Sequence, residues 1–389
     1  MASGLWLLVA VSPVIRIAPN EVSFITPSSY RDIYGFRKGH EVFTKSEAYD
    51  AAAFTDQARS IVNERDPAEH AKMRKMVAPA FAERTLREKW PLIQQVVDGL
   101  ILKLKSLAKE GGRKQPVDIG LFLSLTTFDI STSLSMGESF GAVQAGKLHP
   151  WQIFFSNGAR AMGEGVAVRK FPWLGKLLIA LKPPAMMAMI RELRKHEQMC
   201  LEFVKKRLAS PSERPDILNS ILKGAEQDGE KYGTESIAAQ LSDVVIAGTE
   251  TSALALSTAN YYLMRNPEVL AKLHAEIRGT FQRNEDITVE STQKLEYLNA
   301  VLNEAMRLMA PVPWPPNRIV PPGGDTVDGH YLPAGTWVST NAFSAARSPD
   351  NFKDPLEFKP ERWLAQDPED NLDASQPFSL GSRSCIGKP

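Results

Sequence analysis

Phe378-Ser379-Leu380-Gly381-Ser382-Arg383-Ser384-Cys385-Ile386-Gly387 sets one cysteine among an aromatic ring, an arginine and two glycines. Each residue type suits a thiolate that binds a metal. Such a sulfur must be held rigid, shielded from water and stabilised by N–H donors, because it is electron-rich. Gly381 and Gly387 let backbone amides come close to it. Arg383 can pair with a carboxylate of a cofactor, and Phe378 can cover the sulfur with an apolar ring. The competing reading is a small buried hydrophobe, which most free cysteines are. Five specified residues at fixed spacing arise by chance in such a chain on the order of once in ten thousand. The ligand reading is therefore preferred.

Composition bounds what surrounds this run. The chain has 389 residues, enough to enclose a large core and a cofactor. A net charge of +1 gives no reason to expect a nucleic-acid partner. Two cysteines, Cys200 and Cys385, are too few for a disulfide framework. Leu5 to Val11 is apolar but far shorter than the roughly 20 residues of a membrane span, and Pro13 and Arg16 close it. Residues 1–13 read as a short leader or anchor remnant, and 14–389 as one domain. No other segment reads as long and apolar enough to span.

The elements predict a mainly α protein with small β-sheets (α+β). Val14 to Ile25 predicts two strands about a turn at Pro19-Asn20. From Pro67 the spacing turns helical, with Asp66 as N-cap, until Pro79. Helices are expected over Leu92–Ala108, Leu121–Ser135, Thr234–Arg265, Pro267–Gln282 and Leu295–Met309. Thr234–Arg265 is the longest, and at 1.5 Å per residue it would run roughly 48 Å. Trp151 to Met189 is apolar and broken by glycines and prolines. It reads either as two helices with a mobile connection, serving as a lid or membrane edge, or as core helices with an irregular loop. Prolines 311, 313, 315, 316, 321 and 322 forbid a long helix thereafter. Thr326–Leu332 and Thr336–Thr340 read as one small sheet.

The run around Cys385 resembles the haem-binding signature of the cytochrome P450 family, Phe-x-x-Gly-x-Arg-x-Cys-x-Gly. Three further stretches resemble that family in the same order. They are Ala247-Gly248-Thr249-Glu250-Thr251-Ser252, Glu304-Ala-Met-Arg307 and Phe358-Lys-Pro360-Glu361-Arg362-Trp363. The resemblance implies the P450 fold, haem b with Cys385 as axial iron ligand, and electrons from NADPH through a cytochrome P450 reductase. It also implies insertion of one oxygen atom from O2 into a hydrophobic small molecule. The Arg16–Phe24 run and the Pro-Glu-Arg-Trp-Leu stretch look most like filamentous-fungal members, which implies a natural-product intermediate as substrate. A monomer on the endoplasmic reticulum membrane is implied by the family.

The residues carry their own reading beside this. Glu304 and Arg307 share a helix face. With Arg362 they are expected to form a buried charge triad that locks the loop onto the helix, a structural role. The Thr251 hydroxyl can bond the carbonyl one turn back and open the helix locally, and Glu250 with Thr251 offers a proton route. Ala247 and Gly248 leave room for a flat cofactor and O2. His70 and Arg74 lie four apart; the resemblance implies that they, Arg318 and Arg383 hold the haem propionates. Lys72, Lys75, Arg84, Arg87 and Lys89 read either as a docking face for the reductase or as a solvated surface. The pocket walls are expected from Ser46–Arg65, Trp151–Met189, Ile246, Ala247 and Val312–Trp314. Against the family pattern, the helix and hairpin after the cysteine loop are lacking and the start is short. A truncated, non-catalytic protein is one alternative. A haem-thiolate isomerase or dehydratase is another, disfavoured by the Glu250–Thr251 pair.

Overall fold

β-branched and aromatic residues at Val14, Ile15, Ile17, Val22 and Phe24 favour a hairpin, and the chain forms one. The computed structural model describes residues 12–52, 58–111, 116–154, 173, 177, 180–181, 184–210, 216–227, 232–365 and 369–388. In chain order the strands and main helices are β1 Val14–Ala18, β2 Glu21–Phe24, α1 Pro27–Tyr34, β3 Thr44–Lys45, α2 Pro67–Val77, α3 Trp90–Gly111, α4 Ile119–Met136, α5 Pro184–Ala209, α6 Ile217–Gln227, α7 Thr234–Arg265, α8 Pro267–Thr280, α9 Glu296–Leu308, β4 Arg318–Ile319, β5 Asp325–Val327, β6 His330–Leu332 and β7 Trp337–Thr340. The protein is mainly helical with small sheets, as expected. It divides into two compact units, one running to Ser46 and resuming at Leu254, the other spanning Glu47–Ala253.

The first unit is built on a five-stranded sheet ordered β1-β2-β7-β4-β3. β2 and β7 run parallel, with Glu21 opposite Trp337 and Phe24 opposite Thr340. One expectation is corrected here. β5 and β6 form a separate two-stranded hairpin, while β7 belongs to the larger sheet. The turn ending at Gly335, at φ +80°, sends the next strand away, and the Trp337 N–H bonds the Asn20 carbonyl at 2.8 Å. α1 begins at a Thr26 cap with Pro27 in its first turn. Its Ile33 and Tyr34 pack with Phe24, Val320 and Val338 into one core. A second core joins the end of α7 to α8 and α9 through Ala259, Leu273, Val301 and Leu308, with Tyr262 stacked on Phe358. Each fully buried large side chain contributes about 1.5–3 kcal/mol.

The second unit is helical. Asp66 accepts from the N–H groups of Ala68 and Glu69, so the expected cap of α2 is present. α4 is long and apolar enough to cross a membrane, the one such helix among the described residues. That corrects the expectation that no internal segment would qualify. Leu125 and Phe128 are fully buried, so α4 is a core helix here. Two of its buried threonines are satisfied within the helix: Thr126 bonds the Phe122 carbonyl and Thr132 that of Phe128. The lid expectation for Trp151–Met189 falls mostly outside the described residues, as does the leader.

A buried polar chain links α5 to α7 within this unit. Trp151 Nε1 donates to His196 Nδ1, and His196 Nε2 lies 2.6 Å from Ser242 Oγ. Indole is a donor only, so Nδ1 must accept and His196 is the neutral Nε2–H tautomer. Burial drives the His196 pKa from 6.5 to about 4. The fold therefore disfavours the charged ring, and the unfolded chain binds more protons between those values. Stability is complete above about pH 6.5 and is lost as pH falls towards 4. Unfolding midpoints in urea are expected to report a loss of about 2 kcal/mol between pH 7 and pH 5 from this group. His196→Gln should remove that slope; an unchanged slope would assign it elsewhere.

Candidate functional site

The cysteine loop lies in the first unit. Gly381–Arg383 form one tight helical turn, and the Cys385 N–H donates to the Phe378 carbonyl at 2.8 Å. Gly381 has φ +71°, and a Cβ there would sit 2.0 Å from the Tyr34 carbonyl oxygen. Only glycine fits, and the reason is backbone packing against α1, not an approach to the sulfur as expected. At Gly387 a Cβ would meet Cys385 Sγ at an ordinary 3.9 Å, so space does not require glycine there. Phe378 is half-buried and supplies its carbonyl to the turn. The Cys385 side chain is exposed, whereas Cys200 is buried and its thiol pKa is pushed up, chiefly by burial. Arg383 is half-buried in the same turn.

Tyr34 ties this turn to a second expected residue. Arg318, on β4, is buried with its guanidinium 5.5 Å from the centre of the Tyr34 ring. Its Nη1 has no hydrogen-bond partner. A buried N–H left unmade costs about 1–3 kcal/mol, so this atom is set to meet an anion. Tyr34 thus carries Gly381 on its carbonyl and Arg318 on its ring.

The charge triad is fully buried. Glu304 Oε2 accepts from Arg307 Nε at 2.8 Å and Oε1 from Arg307 Nη2 at 2.8 Å. Arg362 Nε adds a third bond to Oε1 at 3.0 Å. Burial alone would raise the Glu304 carboxyl. The Arg307 bonds and charge, the Arg362 charge and the Lys359 N–H outweigh it and hold the pKa below the ordinary value. Arg307 also bonds the carbonyls of Ala346, Pro355 and Glu357, which ties the loop to α9. Three members were not foreseen. Trp363 Nε1 donates to Glu304 at 2.9 Å, Asp370 pairs with Arg362 at 2.5 Å, and Phe352 lies under Arg307 at 4.8 Å. Trp363 stood in the sequence motif, and an indole N–H needing a partner was its signal. Asp370 offered none.

In the second unit, α7 carries the other set. Thr251 Oγ1 donates to the Ala247 carbonyl at 2.5 Å, one turn back as expected, but the helix stays continuous and does not open there. Burial raises the Glu250 carboxyl pKa. Ala247 and Gly248 are exposed. A Cβ on Gly248 would meet Ser131 Oγ of α4 at 2.9 Å, so its missing side chain faces a neighbouring helix. That corrects the expectation that this glycine makes room for the cofactor.

A family model described as Cytochrome P450 matches residues 13–389. The chain is 44% identical over 377 residues to Cytochrome P450 monooxygenase ORF11 of Penicillium roqueforti, covering 96% of this chain and 77% of that one. It is 38% identical to Cytochrome P450 monooxygenase BipB of Cochliobolus sativus, covering 96% and 74%. The chain belongs to the cytochrome P450 family. The crystal structure of the cytochrome P450DA heme domain matches the fold with a TM-score of 0.77 at 20% identity, covering 96% of this chain and 79% of that one.

The remaining expectations divide within this P450. His70 is buried and Arg74 half-buried on α2. The basic face is not what its charges implied. Lys89 is buried with its Nζ lacking a hydrogen-bond partner, and burial lowers its pKa against the pull of Asp216 and Glu88. Lys72 pairs with Glu69, Arg84 with Glu88 and Arg87 with Glu83, so acidic neighbours offset the surface cations. Of the expected pocket walls, Arg59 pairs with Asp50 and Arg65 with Glu47 and Asp50. Residues 53–57 lie outside the described set. Val312 and Trp314 are exposed.

Proposed function

We propose that this P450 monooxygenase acts through residues 14–389 as one haem domain. It would oxidise a hydrophobic natural-product intermediate with electrons from an NADPH-linked cytochrome P450 reductase. The observation that carries the reading is Arg318: a buried guanidinium with a spare N–H, joined through Tyr34 to the turn that bears Cys385. A thiol and a carboxylate-seeking cation on one frame fit haem b, which supplies O2 activation when bound. Cys385 would hold the iron through its thiolate. Arg383, Arg318, His70 and Arg74 would pair with the propionates, and Phe378, Gly381, Gly387 and Ala247 would line the group. Membership of the family further supports a monomer associated with the endoplasmic reticulum membrane.

Glu250 and Thr251 move the protons. The raised pKa keeps the Glu250 carboxyl protonated to higher pH than an ordinary glutamate, so it can give up a proton. The Thr251 hydrogen is committed to the Ala247 carbonyl, which leaves the oxygen's lone pairs to accept. Donation by Thr251 therefore requires that bond to open.

The test is to express the chain, reduce it and add CO. A red-shifted Soret band is expected, followed by NADPH consumption with reductase. No haem uptake would sink the reading. Thr251→Ala is expected to keep the band while product-forming turnover falls by about 10²-fold, the low end of the usual range for proton-transfer groups, and the NADPH consumed goes to peroxide instead. An unchanged peroxide yield would refute the proton role.

A further inference from the structure

We infer that Ser131 of α4 is a positioning residue for the turn of α7 that carries Glu250 and Thr251, with Gly248 as its packing partner. The inference rests on the proton role proposed for that pair. Ser131 Oγ donates to the Val245 carbonyl at 3.1 Å, and Thr249 Oγ1 donates to the same oxygen at 2.7 Å. An α-helix already directs the Thr249 N–H there. Three donors then share two lone pairs, so the helical bond at this turn is weakened. What holds the turn in place is the hydroxyl from α4. Val245, Thr249 and Ser131 are all buried, which strengthens that bond relative to water.

Gly248 completes the contact. The 2.9 Å from an added Cβ to Ser131 Oγ is closer than carbon and oxygen tolerate, while the Ser131 Cβ would be 3.5 Å away, an ordinary contact. The hydroxyl therefore occupies the space that a side chain at 248 would fill. One turn along, Thr251 makes its own bond to Ala247. Ser131 thus sets the rotation and height of the turn from which Glu250 and Thr251 act, without touching the reacting atoms.

A double-mutant cycle with two readouts tests this. Ser131→Ala is expected to speed amide hydrogen exchange in residues 245–251 by about fivefold, the factor for a hydrogen bond of ~1 kcal/mol. With reductase and no substrate added, it should raise peroxide per NADPH by a similar factor of about five, while the CO-bound Soret band is kept. Gly248→Ala should lower the melting temperature by about 2–4 °C through overpacking. Ser131→Ala with Gly248→Ala should melt no lower than Ser131→Ala alone, because the clash is gone. It should stay as uncoupled as Ser131→Ala alone, because the bond is gone. A purely structural role would restore both together and overturn the inference, as would normal coupling and exchange in Ser131→Ala. A Gly248→Ala protein that melts like the wild type would refute the packing contact. If Thr251→Ala does not uncouple while the exchange and melting results hold, the proton role fails and the Ser131 contact stands.

Discussion

Glu304→Ala is expected to cost about 3–5 kcal/mol, the penalty for stranding buried charges. The carboxylate answers two guanidiniums, the Lys359 N–H and the Trp363 indole, all within a buried cluster. Its loss leaves Arg307 and Arg362 facing each other with no anion between them. Against a total stability of about 5–15 kcal/mol, that is a large fraction of what keeps the protein folded. The protein should express poorly and take up little haem, with the urea midpoint and the CO band falling together. Glu304→Gln keeps two oxygen lone pairs and should fall less. Arg307→Lys should resemble the alanine change more than its name implies. Arg307 makes five hydrogen bonds, to Glu304 twice and to the carbonyls of Ala346, Pro355 and Glu357, and an ammonium has three donors. A Glu304→Ala protein that melts within about 1 kcal/mol of the wild type would show that the triad holds nothing in place.

Cys385→Ser is expected to abolish the red-shifted band and turnover together, because an alcohol does not ionise to replace the thiolate. The fold should not notice. The side chain is exposed, and the bond that holds the turn is made by the Cys385 backbone N–H. Melting of the protein without cofactor should therefore match the wild type. Cys200→Ser is the control, since that sulfur is buried beside His196 on α5 and should leave the band intact. A band that survives in Cys385→Ser would overturn the ligand assignment.

The helices that pattern alone could find were the ones with clear punctuation. Asp66-Pro67 opens α2 and Asn266-Pro267 closes α7, as capping chemistry requires. α1 was missed because Pro27–Tyr34 is too short for an apolar period to show, although its Thr-Pro start was a signal. α6 was missed despite Asp216, whose carboxylate accepts from the Asn219 N–H at its first turn. The β5–β6 and β7 error has a different origin. Strand propensity says that a segment will pair, and not with what; β7 pairs with residues far away in the chain. At the site, the motif located Cys385 and the triad. It said nothing of Tyr34 or Ser131, which act through a ring face, a carbonyl and a single hydroxyl. It also misread Gly248 and Lys89, since a glycine does not announce which neighbour needs its space and a lysine does not announce that it is buried.

The parallel pairing of β2 with β7 has a consequence for how the protein is made. Phe24 leaves the ribosome long before Thr340, its partner across the sheet. At usual synthesis rates the interval is roughly 15–60 s. Throughout it the β1–β2 hairpin waits with one apolar edge open, a template for pairing with any other nascent strand. Residues 47–253 are all delivered in that interval. Newly made chains should therefore lean on chaperones that shield the hairpin, and slowing translation between residues 254 and 340 should lower soluble yield more than the same delay placed after residue 340.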